Sequence, residues 1–314
     1  MSDVRVRQAL LADIFAITDA YCSNVDVFTR WNHDGTRTVV PYAELNLAER
    51  FENGGPWMSV ETCAVWLAHL LRHGDEIPLV VEVDGVVLGE AEATIGDEPS
   101  PYGKHLNISS LCIHADAHRS GFGTALIKYI KEMAGVMSAR WVTVPFSADA
   151  NEFLSMQGFR PLAARRQVIV PARQGRVFYK ALDMDNYSPS QISGWHMPIG
   201  RFQNARHEWN RILPGFWNGV PELVEPRVHR FIINITNQPG ILLLEEDRKV
   251  PGRANVYLWT KQPVSTHMIS AIRDRSAQLG YNELSMYVDD AVMGMIEPEA
   301  TDVRDAEVLL ASSM

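Results

Sequence analysis

The stretch HADAHRSGFGTALIKYI, residues 114–130, constrains the fold more than any other part of the chain. The alternating segment before it predicts a strand, and apolar residues at helical spacing predict a helix after it. Gly121 and Gly123 allow positive φ angles and a close approach of a ligand to the backbone. The first amides of a helix lack partners within it and carry partial positive charge. This turn therefore predicts a phosphate or pyrophosphate site, to which His118 and Arg119 can add donors.

Two common phosphate-binding motifs do not fit this turn. A nucleoside-triphosphatase loop places Lys and then Ser or Thr after its last glycine, whereas here Thr124 and Ala125 follow Gly123. A dinucleotide-binding fingerprint needs three spaced glycines at the start of a βαβ unit, whereas here two glycines follow three strands predicted to be antiparallel. The turn therefore belongs to another class of phosphate site.

The element order of the first 182 residues predicts an α+β domain. The order is β-α-α-β-β-β-α-β-α-β-β, and it includes two alternating strands joined by Asp84-Gly85, a strong hairpin signal. The closing strands are predicted in RRQVIV and RVFYKAL. The polar, turn-rich segment DMDNYSPSQISG, residues 183–194, is predicted to be a linker between domains at 1–182 and 195–314.

The second half repeats the middle of the first half in element order. A helix is predicted over MPIGRFQNARHEWNRIL, followed by strands in HRFIINI, GILLLEED and RANVYLWT, a helix in STHMISAIRDRSAQLG, and strands in NELSMYV and AEVLLAS. Strand-strand-strand-helix-strand matches the first half if the glycine turn is deleted, although sequence identity is negligible. The sequence therefore predicts two related modules, the second without a pyrophosphate turn.

The segment LCIHADAHRSGFG, residues 111–123, resembles the acetyl-CoA motif of the GCN5-related N-acetyltransferases, the GNAT superfamily. In that motif a strand end L-x-V/I is followed by Q/R-x-x-G-x-G/A at the start of a helix. ADANEFLSMQGF and the closing FYKAL are similar to later family segments, so the resemblance spans roughly residues 3–182. It implies the GNAT fold, a mixed and mostly antiparallel sheet flanked by helices, with acetyl-CoA as cofactor. It also implies a strand bulge that opens a gap for pantetheine. The implied cofactor-binding residues are Leu111, Cys112, Ile113, His118, Arg119, Ser120, Gly121, Phe122, Gly123 and Thr124.

The resemblance also directs attention to three catalytic candidates. In many family members a glutamate acts as base six residues before the position of Ile113; here Asn107 stands there, which cannot take a proton but can orient a water. His105 shares its strand face. Glu90 and Glu92 alternate on the neighbouring hairpin strand, a spacing that also suits a solvated strand face. The candidates are Asn107, His105 and Glu92.

Composition limits the partners and the compartment. A formal charge of −9 and an isoelectric point near 5.6 argue against a nucleic-acid binder. The chain has no run of 18 apolar residues, and its start lacks the layout of a secretory signal, so we expect no membrane association. Three scattered cysteines match neither a disulfide framework nor a zinc site, and we expect no metal. These features predict a cytoplasmic protein.

Together these patterns predict an enzyme that moves an acetyl group from acetyl-CoA to the primary amine of a small molecule, by direct attack in a ternary complex. The loop ENGGPWMSVETC, residues 52–63, suits either an acceptor site or a turn with a buried tryptophan. The second module would enclose the acceptor or form a homodimer. Two alternatives stay open. One is a non-catalytic acetyl-CoA sensor, favoured by Asn107 and by Leu154, which replaces the family's tyrosine acid; the other is a protein lysine acetyltransferase.

Overall fold

The computed structural model describes residues 3–32, 36–72, 76–145, 147, 150–185, 188–200, 204–212, 216–223 and 226–313. Their contacts divide the chain into two compact units, and neither unit is continuous in sequence. The first unit comprises Met1–Thr94, Ile108–Met137 and Gly215–Glu225. The second unit comprises Ile95–Asn107, Ser138–Pro214 and Pro226–Met314.

Strands and helices alternate irregularly along the described residues, as an α+β protein requires. The strands are β1 Val4–Gln8, β2 Thr29–Trp31, β3 Arg37–Val39, β4 Glu76–Val83, β5 Val86–Glu98, β6 Gly103–Ile113, β7 Trp141–Pro145, β8 Arg160–Pro171, β9 Lys180–Asp183, β10 His196–Ile199, β11 Val228–Ile235, β12 Gln238–Glu246, β13 Arg253–Thr260, β14 Glu283–Val288 and β15 Asp302–Ser313. The α-helices are α1 Ile14–Cys22, α2 Leu47–Glu52, α3 Val60–Arg72, α4 Phe122–Val136, α5 Asn151–Met156, α6 Ala205–Ile212, α7 Thr266–Gln278 and α8 Asp290–Ile296.

The first unit is built on strands in the order β1, β4, β5, β6, with antiparallel pairing of β1 with β4 and of β4 with β5. The predicted hairpin is present. Asp84 and Gly85 have φ angles of 50° and 84°, and a type I′ turn needs positive φ at both of its central residues. Helices α1 and α3 bury their apolar stripes in a core that includes Ile17, Trp57, Trp66, Leu67, Leu70 and Val80.

The second unit contains strands in the order β7, β15, β8, β14, β10, β13, β12, β11, β9. Strands β11, β12 and β13 form an antiparallel meander in which Thr236 and Asn237, both at positive φ, make the first turn. Helix α7 begins after Ser265, whose side chain accepts a hydrogen bond from the amide of Met268, as expected of an N-cap. Its apolar face packs on this meander through a core that includes Phe231, Leu242, Leu258, Met268, Ile272 and Met286.

Five elements occur in the same order in both halves of the chain: β4, β5, β6, α4 and β7, and then β11, β12, β13, α7 and β14. In each set the last strand runs parallel to the third. Strand β6 pairs with β7 from His105 to Asn107, and β13 pairs with β14 from Arg253 to Asn255. Each parallel ladder contains three residue pairs. The element order on which the predicted repeat depends is therefore present.

Strand β10 lies where the second parallel pair separates. If the register between β13 and β14 continued, Leu258 would lie beside Val288. Instead both residues pair with Ile199 of β10, which runs antiparallel to each neighbour. The chain thus fills the place between the diverging strands with its own backbone, and Ile199 is completely buried there.

Two sequence predictions differ from this structure. The helix predicted from Met197 onward is instead β10 followed, after residues 201–203 outside the described set, by α6. The segment HMPI lies between two neighbouring strands of one sheet, so pairing with β13 and β14 overrides the helical spacing. The closing strand predicted over RVFYKAL begins only at Lys180, as β9.

The two packing units do not follow the predicted limits of 1–182 and 195–314. The reason is strand exchange: β8 pairs with β14 and β15, and β15 also pairs with β7. The predicted linker, of which residues 186 and 187 lie outside the described set, is partly packed. Met184 and Ile192 are buried in a core with Trp209 and Trp259. These limits therefore stay a prediction about modules, and the packing crosses them.

The position of Ile199 predicts a large stability effect. Ile199→Ala is expected to lower the free energy of unfolding by about 2–5 kcal/mol, because it leaves a cavity in the core that the Ile199 side chain fills. Ile232→Ala is the matched control, because Ile232 is 43% exposed on β11. Urea denaturation of both variants measures the difference, and equal losses would contradict the placement of β10.

Candidate functional site

The glycine turn lies on the surface of the first unit and ends β6. After Ile113 the chain makes a short 3-10 turn at Ala115–Ala117 and then places Arg119 at a φ of 62° and Gly121 at a φ of 86°. Left-handed positions that alternate with ordinary ones turn successive amides toward a common point. Residues 118–121 are exposed, so a ligand can reach this concavity from solvent.

Gly121 is the N-cap of α4, and its conformation requires glycine. The residue is left-handed, with φ 86° and ψ 0°, and an added Cβ would meet no atom within 4 Å. The first helical hydrogen bond runs from the amide of Ala125 to the carbonyl of Gly121, at 3.0 Å. The amides of Phe122 and Gly123 precede that bond and lie at the positive end of the α4 dipole.

The turn is held from behind by α1 and by its own side chains. Asn24 Nδ2 donates to the carbonyl of Ile113 at 2.8 Å, and the amide of Ala115 donates to Ser23 Oγ at 2.9 Å. The Nε2 atom of His118 lies 2.9 Å from the same Ile113 carbonyl. The imidazole of His118, which was predicted to add a donor for the phosphate, therefore contacts the backbone of the turn itself.

Strand β6 lies beside β5 up to the turn. Ser109 Oγ donates to Glu92 Oε2 at 2.9 Å, and the amide of His114 donates to the carbonyl of Leu88 at 2.8 Å. The register of β5 against β4 shifts between Val81 and Glu82, which makes Leu88 of β5 an extra residue there. The bulge that the resemblance implied near Leu111–Ile113 of β6 stays a prediction.

The end of β6 requires a glycine at position 89 of the facing strand, β5. A Cβ at Gly89 would lie 2.7 Å from the carbonyl oxygen of Cys112 and 2.4 Å from Cδ1 of Ile113. Leu111, Cys112 and Ile113 are half-buried. Burial, together with the charge of Glu90, raises the pKa of the Cys112 thiol to about 12, so this cysteine is a protonated, unreactive thiol at neutral pH.

Glu92 is buried and hydrogen-bonded in the first unit. The indole Nε1 of Trp66 donates to Glu92 Oε1 at 2.7 Å, and Ser109 Oγ donates to Oε2 at 2.9 Å. Only 5% of the residue is exposed. Burial raises the pKa of Glu92 to about 7, while the two hydrogen bonds act in the opposite direction. Glu92 is therefore a carboxyl group that can accept or release a proton near neutral pH.

Glu90 forms a second buried group beside it on the same strand face. The hydroxyl of Tyr21 donates a hydrogen bond to Glu90 Oε2 at 2.6 Å and also contacts Ser110 Oγ. In the part of the chain that the structure describes, Glu90 Oε1 has no hydrogen-bond partner. Burial and the charge of Glu92 raise the pKa of Glu90 well above its usual range. The interpretation of Glu90 and Glu92 as a solvated strand face is therefore wrong, because α1 and α3 cover that face.

The other two catalytic candidates make their contacts in the second unit. His105 is buried, with Nδ1 at 2.8 Å from the carbonyl of Gly103 and Nε2 at 3.8 Å from Glu98 Oε1. Asn107 is fully buried, and its Oδ1 accepts a hydrogen bond from Thr143 Oγ1 at 3.1 Å. Among described atoms, Asn107 Nδ2 lacks a hydrogen-bond partner. Of the three catalytic candidates, Glu92 lies in the first unit, which carries the glycine turn, whereas His105 and Asn107 lie in the second unit.

The sequence analysis did not identify the side chains that bind Glu90 and Glu92, which are Tyr21 on α1 and Trp66 on α3. The indole N–H of a core-facing tryptophan and the hydroxyl of a core-facing tyrosine need partners, and that rule could have suggested a buried acceptor nearby. In the 52–63 loop, Trp57 is a buried side chain that stacks on Tyr21 at 5.3 Å, as the tryptophan-plug interpretation expected.

The described residues contain no group of three or more His, Cys, Asp and Glu side chains arranged to hold a metal ion. Within the same residues, none of the helices has the length and apolarity needed to cross a membrane.

Comparison with known proteins finds one matching family model and solved structures of similar fold. Residues 42–159 match the model described as the acetyltransferase (GNAT) family. A GCN5-related N-acetyltransferase from Anabaena variabilis has a TM-score of 0.62 at 10% identity, covering 98% of this chain and 72% of that one. A putative acetyltransferase from Pyrococcus horikoshii has a TM-score of 0.55 at 11% identity, covering 99% and 89%. No curated protein matches the sequence.

The raised pKa of Glu92 predicts a specific pH dependence of stability. Because the folded pKa is near 7 and the ordinary value is 4.5, the folded chain holds this proton more tightly than the unfolded chain. The resulting stabilisation is present below pH 4.5 and is lost as the pH rises through about 7. Relative to Glu92→Gln, wild-type protein should lose about 2–3 kcal/mol of unfolding free energy between pH 5 and pH 8.

Urea denaturation across this pH range measures the loss. The exposed carboxylate Glu132 gives the control variant Glu132→Gln, which should retain the wild-type pH slope. Identical slopes in wild type and Glu92→Gln would show that the Glu92 carboxyl titrates at its ordinary value.

Proposed function

We propose that this protein transfers an acetyl group from acetyl-CoA to the primary amine of a small molecule, because it has the GNAT fold and its residues 42–159 match the model of the GNAT acetyltransferase family. The observation that carries the proposal is the turn at residues 118–124. Its backbone combines two left-handed residues with the N-terminus of α4, and the same unit carries the buried carboxyl group of Glu92, whose pKa is raised to about 7.

Acetyl-CoA is the cofactor of the GNAT family, and the residues of the turn fit its diphosphate. Gly121 leaves open space where any other residue would place a Cβ, and its left-handed φ angle excludes most side chains. The amides from Arg119 to Thr124 would hold the diphosphate, with Arg119 supplying positive charge. The helix dipole of α4 favours the negative charge at the same place.

The strand before the turn would hold the pantetheine arm. The backbone of Leu111, Cys112 and Ile113 lies at the end of β6, directly before the turn. When bound, acetyl-CoA supplies an activated acyl carbon on a thiol leaving group. The chain must then hold the amine close to that carbon and remove a proton from it.

We propose that Glu92 is the base that removes the proton from the amine. A carboxyl group with a pKa of about 7 is partly ionised at neutral pH and accepts a proton from an ammonium or an attacking amine. The amine would replace the thiol on the acyl carbon: a carbon–nitrogen bond would form and the carbon–sulfur bond would break. Glu92 would take the proton that the amine loses, and the leaving thiolate would take one proton from solvent. Asn107 has no titratable group, and its Oδ1 is already engaged by Thr143, which makes it a poorer candidate for this step.

The diphosphate site predicts the effect of a single charge. Gly121→Asp should weaken CoA binding at least roughly tenfold, because it adds negative charge and a Cβ where the diphosphate would lie. Gly280→Asp is the matched control: Gly280 has a φ of 89° and equal open space, but it follows α7 in the second unit. Isothermal titration with CoA measures both affinities and the stoichiometry.

One CoA per chain is expected, with unchanged affinity in Gly280→Asp. Equal affinities for the two variants would refute the assignment of the turn.

The role of Glu92 predicts separable effects on binding and turnover. Glu92→Gln should lower kcat for acetyl transfer by about 10²-fold or more, because a base is removed, while CoA affinity stays unchanged. Thiol release from acetyl-CoA with a set of small amines, and with lysine peptides for comparison, measures turnover. Tight CoA binding without thiol release from any acceptor would favour the sensor alternative, and faster turnover with peptides would favour the lysine acetyltransferase.

A further inference from the structure

Trp217 comes from the second half of the sequence and packs in the first unit. Its ring meets Phe51 of α2 in a T-shaped contact with centroids 5.0 Å apart. It also lies nearly parallel to Trp66, at an angle of 8° and a centroid distance of 6.4 Å. The backbone after it forms two consecutive turns, and Val220 and Leu223 on these turns are buried. Trp217 is thus held firmly between two aromatic rings of the first unit.

Trp66 links this aromatic contact to the buried carboxyl group. Its indole is nearly parallel to that of Trp217 and also has the His69 ring at a centroid distance of 5.5 Å, and its Nε1–H donates to Glu92 Oε1 at 2.7 Å. Rotation of the indole about its Cβ–Cγ bond would swing the N–H away from the carboxylate, and a hydrogen bond weakens steeply when its angle opens. A neighbouring ring that restricts this rotation would therefore help Glu92 to keep this donor.

We propose that Trp217 is a positioning residue that fixes the Trp66 indole, and through it the Glu92 carboxyl group, in the orientation used for proton transfer. The inference rests on the proposed function only where it gives Glu92 a catalytic role. The proposal gives a residue from the second half of the sequence an indirect role in the proposed active site of the first unit, through Trp66.

A purely space-filling role makes a different prediction. Trp217 is half-buried, so a leucine could cover much of the same apolar surface. A leucine has no flat face to hold the indole parallel, whereas phenylalanine retains one. If Trp217 only fills space, both substitutions should leave the hydrogen bond of Trp66 intact. If it positions the ring, phenylalanine should preserve the bond and leucine should lose it.

The deciding measurement is hydrogen exchange of the Trp66 indole N–H, followed by NMR of protein labelled with ¹⁵N tryptophan. The resonance is assigned by its absence in Trp66→Phe. Exchange should be roughly tenfold faster in Trp217→Leu, the factor expected when a hydrogen bond of ordinary strength is lost. It should stay near the wild-type rate in Trp217→Phe.

Trp195→Leu is the matched control, because Trp195 is also a half-buried tryptophan of the second half but packs in the second unit. Its exchange at Trp66 should equal that of wild type. Wild-type exchange in Trp217→Leu would overturn the proposal. If that variant does not fold, Phe51→Leu removes the other side of the contact; faster exchange is expected there, and unchanged exchange would equally overturn the proposal.

Activity separates this proposal from the proposed function. Trp217→Leu should lower kcat for acetyl transfer roughly tenfold without changing CoA affinity, because it misplaces a catalytic group and leaves the turn intact. If wild-type protein binds no CoA or releases no thiol, the proposed function fails, and the exchange rates still decide the role of Trp217. If exchange accelerates while kcat is unchanged, Trp217 positions Trp66 but not the catalytic group, and the catalytic part of the proposal is wrong.

Discussion

Parallel strands that separate after three residue pairs are the constraint on which both halves of this chain depend. Beyond such a point, backbone amides and carbonyls need new partners, because unpaired buried groups are costly. In the second unit the chain supplies the partner itself, with Ile199 of β10 between Leu258 and Val288. In the first half, β6 continues past its ladder to Ile113, through the stretch that we propose for pantetheine. The same geometry thus holds a strand in the second unit and, in our proposal, a ligand in the first half of the chain.

The pair of buried carboxyl groups shows the same division between stability and function. Ionised Glu90 and Glu92 would repel each other in a core with little solvent, and burial keeps their pKa values high. A protein selected for stability alone would place apolar residues at both positions. Donors from Tyr21, Trp66 and Ser109 are arranged around these carboxylates instead, which fits a group that must exchange its proton.

Local chemistry explains which features the sequence could predict. The glycine turn, the Asp84-Gly85 hairpin and the α7 helix depend on residues close together in the chain, and each is present where expected. The burial of Glu92 could not be predicted, because its cover comes from Trp66 on a separate helix. Strand β10 was mistaken for a helix, because its partners on β13 and β14 are more than fifty residues away.

The place of Trp217 follows from this limit on sequence reasoning. A tryptophan that follows the predicted boundary by more than twenty residues would be assigned to the second module by any pattern of spacing. The structure instead gives the chain around it to the first unit, and the strands β8 and β15 exchange partners in the second. Segments of each half therefore complete the other's packing. Such exchange makes the orientation of Trp66, and with it the protonation of Glu92, a property of the whole chain rather than of the segment that contains the cofactor turn.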